Sequence, residues 1–274
     1  MTWLDDGYLY HYTSASGLLG ILKTRSVWAT DSDYLNDGTD CKVIDNHLRT
    51  YLNEGNFRRT FPGTARQQDA LEAHLCRGMR TFVASFSRVP NSLTQFRMYA
   101  PDDGGFVVGF PREILKKSAQ LVDVVYDENG EEQWCQNFIS EFCKKIEERD
   151  DGRTDMLSLA DLADSDQRLF NQRIAEGMRR KSQEFEQEKE VRLVCHAGAV
   201  KLRPSRKNNV LVPYVEIQIP NEEFQVKVAA GPGPFQNSIA RAGLSYLPIA
   251  IGEELGLWNI GVLSIGSSAH RIGM

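Results

Sequence analysis

The chain has no run of about 18 uncharged apolar residues, the length a helix needs to cross a bilayer, so no membrane-spanning helix is expected. The opening MTWLDDGYLYHYTS has neither a basic segment nor an apolar one, so no secretory signal is expected and the reading is cytoplasmic. Cysteine is sparse and unpatterned. The five cysteines (Cys41, Cys76, Cys135, Cys143, Cys195) are odd in number and form no CxxC, which favours reduced thiols over a disulfide framework. The five histidines are scattered without HxxxH spacing, so no metal site is expected. Neither GxSxG nor a strand-borne GxGxxG occurs. GPGPF at 231–235 lacks the Lys and Ser/Thr of a phosphate loop. These gaps argue against α/β-hydrolases, P-loop NTPases and Rossmann dehydrogenases. Basic excess is missing too. A net charge of −5 is wrong for a dedicated duplex-DNA binder, which must replace phosphate counterions.

What is present is a strand-rich chain interrupted by helices. Period-two alternation predicts strands near 8–13, 81–87, 106–110, 121–127, 190–197, 212–220, 224–231 and 259–268, with VWAT (27–30) also extended. Ser14 offers an N-cap to a helix carrying Leu18, Leu19 and Leu22. Further helices are expected over about 41–54, 67–80, 92–100 and 236–246. Two amphipathic ones are expected within 131–187, the first on Trp134, Phe138, Phe142 and Ile146, the second on Phe170, Ile174, Met178 and Phe185. No βαβ rhythm appears. The fold expectation is therefore α+β, a single domain over 1–274 with a helical insertion at about 131–187 and a split β-core that forms a cleft.

Five features can carry chemistry. Glu188-Lys189-Glu190 precedes the apolar strand Val191–Val194. If the chain is already extended there, the two carboxylates project to one side and divide acid, base and electrostatic roles. The competing reading is the solvated end of a charged helix, KSQEFEQEKE. His11, Tyr12 and Thr13 end the first strand, where an imidazole beside hydroxyls suits a sugar or an amide. Ser85 and Ser87 share one face of a strand whose other face is Phe82, Ala84 and Phe86. Tyr34 and Asn36 lie in a turn-rich loop. Arg97 and Tyr99 precede the PDDGG turn and combine a phosphate clamp with a stacking ring. Beside these, KLRPSRK (201–207) is a local basic stretch suited to RNA or DNA phosphates, or simply a solvated turn.

LYHYTSASGLLGILKTRSVWATDSDYLND (9–37) resembles the opening of a broad family of uncharacterised bacterial proteins. Phe82–Ser87 and Ser92–Phe110 are similar to its middle blocks. Glu188, Glu190 and Arg192 match its E.E.R segment, and Ser267-Ser268-Ala269-His270-Arg271 its end. Phe96 departs from the pattern, standing where the family more often has Trp. The order of parts resembles the ADP-ribosyltransferase superfamily: a His on the first strand, Ser-x-Ser on a middle strand, Glu-x-Glu at the head of a later one.

That resemblance implies an NAD-dependent ADP-ribosyltransferase with NAD as co-substrate and a macromolecular acceptor, nucleic acid or protein. It implies a role as a toxin or phage-defence effector, with an antitoxin or other regulatory partner. Glu190 would meet the ribose 2′-OH, and Glu188 would orient or deprotonate the acceptor. His11 and Thr13, with Tyr12 between them, would hold the adenosine side or the carboxamide, together with Ser85, Ser87 and Asn36. Tyr34 or Tyr99 would stack on nicotinamide, and Arg97 or Arg25 would meet the pyrophosphate. No metal and no membrane enter. The alternatives are an NAD glycohydrolase and a non-catalytic NAD- or nucleotide-sensing domain.

Overall fold

The structure is a computed structural model that describes residues 7–35, 41–53, 80–99, 105–126, 130–149, 167–196, 198–205, 209–232 and 239–262. The chain divides into two compact units. The first takes Met1–Thr30, Phe82–Asp123 and Glu186–Met274. The second takes Asp31–Thr81 and Val124–Phe185, so the helical excursion falls within it. The expected helix over 67–80 lies outside the described residues, apart from Arg80.

The first unit is built on strands β1 (Tyr8–Thr13), β2 (Ser26–Asp31), β3 (Phe82–Ser87), β4 (Phe106–Pro111), β5 (Gln120–Asp123), β6 (Glu190–Cys195), β7 (Lys201–Pro204), β8 (Leu211–Gln218), β9 (Phe224–Ala230) and β10 (Trp258–Val262). They form one mixed sheet in the order β10-β9-β4-β1-β3-β2-β8-β7, with β6 on β3 and β5 on β6. β10 and β9 run parallel; the other described pairs are antiparallel. β6 occupies one edge of β3 along all six residues. β1 and β2 must therefore share the other edge. β1 meets β3 only at Tyr10–Ser87, whereas it follows β4 through six pairs. The sheet thus branches at β3, and β1 leaves it after a single rung. This is α+β architecture, with helices over a large sheet.

One face of the sheet is a broad apolar core. Leu9, Phe82, Ala84, Phe86, Val108, Phe110, Val191, Leu193 and Val215 pack there with Leu18, Ile21 and Leu22 of helix α1 (Ala15–Thr24). Ser14 caps α1 as expected, its Oγ accepting from Gly17 N at 3.2 Å. Helices α4 (Arg112–Ser118), α7 (Ile239–Ser245), α8 (Leu247–Ala250) and α9 (Gly252–Leu255) close this face through Ile114, Leu115, Leu244, Leu247, Ile251 and Leu255. α7 falls within the helix expected over 236–246, whereas α4, α8 and α9, only four to seven residues long, are too short for a periodicity to announce them. Nor was β7 anticipated, whose four residues alternate without burying a side chain.

The second unit holds α2 (Val43–Asn53), α5 (Glu131–Arg149) and α6 (Gln167–Arg179). Trp134 stacks on Phe138 at 5.0 Å and 15°, and Phe138 leads on to Phe142, as the spacing of four predicts. Phe185 departs from expectation. α6 ends at Arg179, and Phe185 sits in a 3-10 segment (Gln183–Glu188) under the Lys181 ammonium. No helix among the described residues is long and apolar enough to cross a membrane.

The other face of the first unit carries an aromatic cluster of Tyr10, Tyr12, Phe96, Val107 and Ala229, flanked by Tyr8 and Tyr99. Helix α3 (Leu93–Tyr99) lies over it and drives Phe96 edge-on into Tyr12 at 4.8 Å and 79°. Two glycines make room. A Cβ at Gly109 would stand 2.6 Å from the Tyr10 ring, and one at Gly231 would run into the Phe96 ring. We therefore expect Gly231→Ala to lower stability by roughly 1–3 kcal/mol, the usual penalty of overpacking. Pairing it with Phe96→Leu should return part of that loss. The check is thermal unfolding of the three variants; an unchanged midpoint for Gly231→Ala would contradict the packing described.

Candidate functional site

A backbone that loses its neighbour exposes carbonyls that need donors. Where β1 turns away from β3, the His11 side chain supplies one: Nδ1 lies 2.9 Å from the Ser85 carbonyl oxygen. A carbonyl only accepts, so Nδ1 carries the proton and Nε2 is the accepting nitrogen of the neutral ring. Burial pulls the His11 pKa below 6.5, and the bond to Ser85 only partly opposes it. The ring also lies 5.5 Å from Phe86 on the core face of the sheet.

Register sets the rest. Ser87 pairs with Glu190 and Ser85 with Arg192, so the four side chains share one face, and Tyr10 joins them through its pairing with Ser87. His11 stands one residue out of step with that face and reaches the group through the Ser85 backbone. Residues 74 apart in sequence are brought together here, and Glu190 lies a further strand away.

The Glu188-Lys189-Glu190 segment differs from expectation in geometry and in burial. Glu188 is the last residue of the 3-10 segment, Lys189 adopts a left-handed φ of +46°, and only Glu190 lies on the strand. The extended-chain reason for placing the two carboxylates on one side does not hold. The solvated-helix reading fails as well, because Glu188 and Glu190 are 4% and 5% exposed. A left-handed Lys costs roughly 1–2 kcal/mol. The neighbouring bonds hold it: Ser87 Oγ donates to the Glu188 carbonyl at 2.7 Å, Arg88 N to the Lys189 carbonyl at 3.1 Å, and Lys189 N to the Glu186 carbonyl at 3.1 Å. Glu190 then accepts a bidentate pair from Arg192, Nε to Oε1 and Nη2 to Oε2, each 3.1 Å, and Arg192 is fully buried. A second ionic group stands beside this end of the sheet, with Asp123 between Arg88 (2.6 Å) and Arg112 (2.7 Å). Burial raises the Asp123 pKa, but the hydrogen bonds and charges of the two arginines outweigh it and hold the carboxyl below 3.8.

The remaining expected site residues divide. Tyr12 is structural in its contacts: its hydroxyl donates to the Val89 carbonyl at 2.5 Å and accepts from Ser92 N at 3.0 Å, and burial raises its pKa far above 10. It ties β1 to the segment leading into α3. Ser87 Oγ likewise serves the backbone, accepting from Val89 N at 3.0 Å besides its bond to Glu188. Thr13 ends β1 with its hydroxyl against Gly17 in the first turn of α1. Arg97 is exposed on α3, and Tyr99 is half-buried against the aromatic cluster. Arg25 is engaged elsewhere. It ends α1 in a left-handed conformation, and its guanidinium lies against Gly256 beside Asn221. Tyr34 is exposed in the second unit, and Asn36 and Ser267–Arg271 lie outside the described residues. Of the basic stretch, Lys201 is paired to Glu216 at 2.8 Å and Arg203 donates to Thr30 Oγ1 at 3.2 Å.

Residues 95–193 match the model of a family described as a protein of unknown function (DUF2971). The matched stretch runs from Gln95 on α3 to Leu193 on β6, about a third of the chain, and supports a place in a broad uncharacterised domain family. It contains Glu188, Glu190 and Arg192 but stops short of His11, Ser85 and Ser87. No curated protein and no solved structure matches the chain.

Arg192 and Tyr10 are the members of this group that sequence reasoning did not select. The signal for Arg192 was a cation two residues after Glu190 within an otherwise apolar strand, which parity alone places on the carboxylate's face. Tyr10 read as an ordinary strand aromatic.

Burial of a neutral His11 fixes a pH dependence. The unfolded chain takes up the proton near pH 6.5, before the folded one does, so stability is whole above 6.5 and falls as pH drops toward the lower folded value. His11→Asn keeps a donor near the Nδ1 position and removes the titration. His196 is shifted downward by burial as well, so the comparison belongs in a His196→Asn background. Between about pH 7.5 and 5.5 the melting midpoint should fall less in the His11→Asn variant than in its parent. Parallel curves would contradict the buried, neutral ring.

Proposed function

We propose that the protein is an NAD-dependent ADP-ribosyltransferase acting on a macromolecule, with Glu190 as the residue that stabilises the ribosyl cation. The observation that carries this reading is the pair of buried carboxylates at the head of β6, with Glu190 paired to Ser87 of the β3 Ser-x-Ser. An ADP-ribosyltransferase-like split sheet is part of the same proposal, and the departure of β1 from β3 supports it.

The chemistry follows from charge. Cleavage of the nicotinamide–ribose bond sends its electron pair out with nicotinamide and leaves an oxocarbenium-like ribose, as in glycoside hydrolysis. A carboxylate accepting from the ribose 2′-OH gains strength as that positive charge develops, so it lowers the barrier more than it tightens substrate. Glu190 takes this role. An acceptor oxygen or nitrogen then forms the new bond to C1′, and Glu188 accepts the proton it gives up. His11, whose ring lies on the core face against Phe86, acts only through its bond to the Ser85 carbonyl and does not hold the dinucleotide. Two of the four cations of 201–207 are already engaged within the sheet, so nucleic acid gains no preference over protein as acceptor.

Glu190→Gln keeps shape and removes charge. It should reduce nicotinamide release about 10²–10³-fold, as loss of one preorganised electrostatic contact does. The measurement is release from NAD carrying a label on its adenylate, by wild type and variant at matched melting temperature, with RNA, DNA and protein extracts as acceptors. Label on a macromolecule identifies a transferase, and label recovered only as free ADP-ribose a glycohydrolase. NAD binding without release identifies a sensing domain. Equal rates for wild type and variant would remove Glu190 from the chemistry. As a toxin or defence effector, the wild type should slow growth on overexpression and Glu190→Gln should not.

A further inference from the structure

Among the described residues Arg192 is one of the largest fully buried side chains, and its position is an unfavourable place for a charge. It stands at the third residue of β6, with Ser85 across on β3 and Val122 across on β5, and Val191, Leu193 and Val194 around it in sequence are buried and apolar. A buried ion pair is commonly no more stable than an apolar pair of the same volume, because both charges must leave water. Stability alone would be served as well by a Met or Leu here with an apolar partner at 190. What the pair provides instead is geometry. The guanidinium is a rigid fork, and both of its contacts with Glu190 are 3.1 Å, one to each carboxylate oxygen. The backbone under Glu190 is fixed from the other side by Ser87 and the left-handed Lys189.

Resting on the transferase reading, we infer that Arg192 is a positioning residue: its fork holds the Glu190 carboxylate in the one orientation from which it meets the ribose 2′-OH. Arg192 itself touches no reacting atom. It keeps Glu190 from turning toward other donors, and it compensates the buried charge before substrate arrives. Arg192 and Glu190 are thus one unit, selected by position along the strand rather than by contact with NAD.

The test uses the full chain. Arg192→Lys keeps the cation and loses the fork. Its kcat for nicotinamide release should fall about 10²-fold, the effect of a misplacement near 1 Å, while KM for NAD stays near the wild-type value. A merely structural arginine would lower the melting temperature and leave kcat per folded molecule unchanged, and that result would overturn the assignment. Arg192→Met is the harsher variant and strands the carboxylate. A thermal-unfolding cycle of Arg192→Met, Glu190→Gln and the double variant should be strongly non-additive, the double variant recovering much of what Arg192→Met loses. Additive losses would overturn the coupling without reference to activity. Absence of release by the wild type would sink the transferase reading and the role of Arg192 with it. Release by the wild type with unchanged kcat in Arg192→Lys would sink only the positioning role.

Discussion

A β-strand has two edges, and β3 has three neighbours. β6 covers one edge along its whole length, so the other must be divided, and β1 keeps contact for only one rung before it diverges. That shortage of edge is the constraint from which the candidate site follows. It leaves the Ser85 carbonyl to be satisfied by a side chain, and His11 is placed to do it. Beyond the divergence, the sheet can carry polar groups because they bond one another or the backbone, not because they reach water.

The same region concentrates features that are unfavourable for stability alone: a neutral, half-buried histidine, a lysine in a left-handed conformation and two buried carboxylates with a buried arginine. The histidine, the Lys189 backbone and the Glu190–Arg192 pair are each compensated locally. Ser87 shows how closely. Its single hydroxyl donates to Glu188 and accepts from Val89, so it holds both chain segments that flank the strand ends. Such a density of compensated polar groups around one sheet branch is expected where geometry has been fixed for binding or chemistry. It stands apart from the large apolar face beneath, which supplies the burial that holds the unit together.

Much of this was legible in the sequence, for identifiable reasons. β1, β3, β4, β6 and β9 alternate cleanly, and Ser14 announced α1. The branch itself was not legible, since nothing local to 8–13 or 82–87 records that β1 and β2 compete for one edge. Glu188 and Glu190 stand out in the sequence as acids set directly before an apolar strand, but their relation was misjudged. Alternation assumes extended backbone, and Lys189 breaks it with a positive φ that a lysine codon does not advertise. Tyr12 and Ser87 looked like ligand groups because a hydroxyl in sequence carries no sign of its partner. Arg25 and Arg97 were chosen for charge, and charge does not say toward which part of the fold a long side chain reaches.

The central claim is that the branch between β1 and β3 is a dinucleotide site. The most direct measurement is a crystal structure of the protein with a non-cleavable NAD analogue in which nicotinamide is replaced by benzamide. The account predicts the ribose 2′-OH on the benzamide side within hydrogen-bond distance of Glu190, the Arg192 fork still closed on that carboxylate, and the His11 bond to the Ser85 carbonyl unbroken. An analogue bound away from β1, β3 and β6, or a Glu190 that contacts Arg192 alone with ligand present, would contradict it.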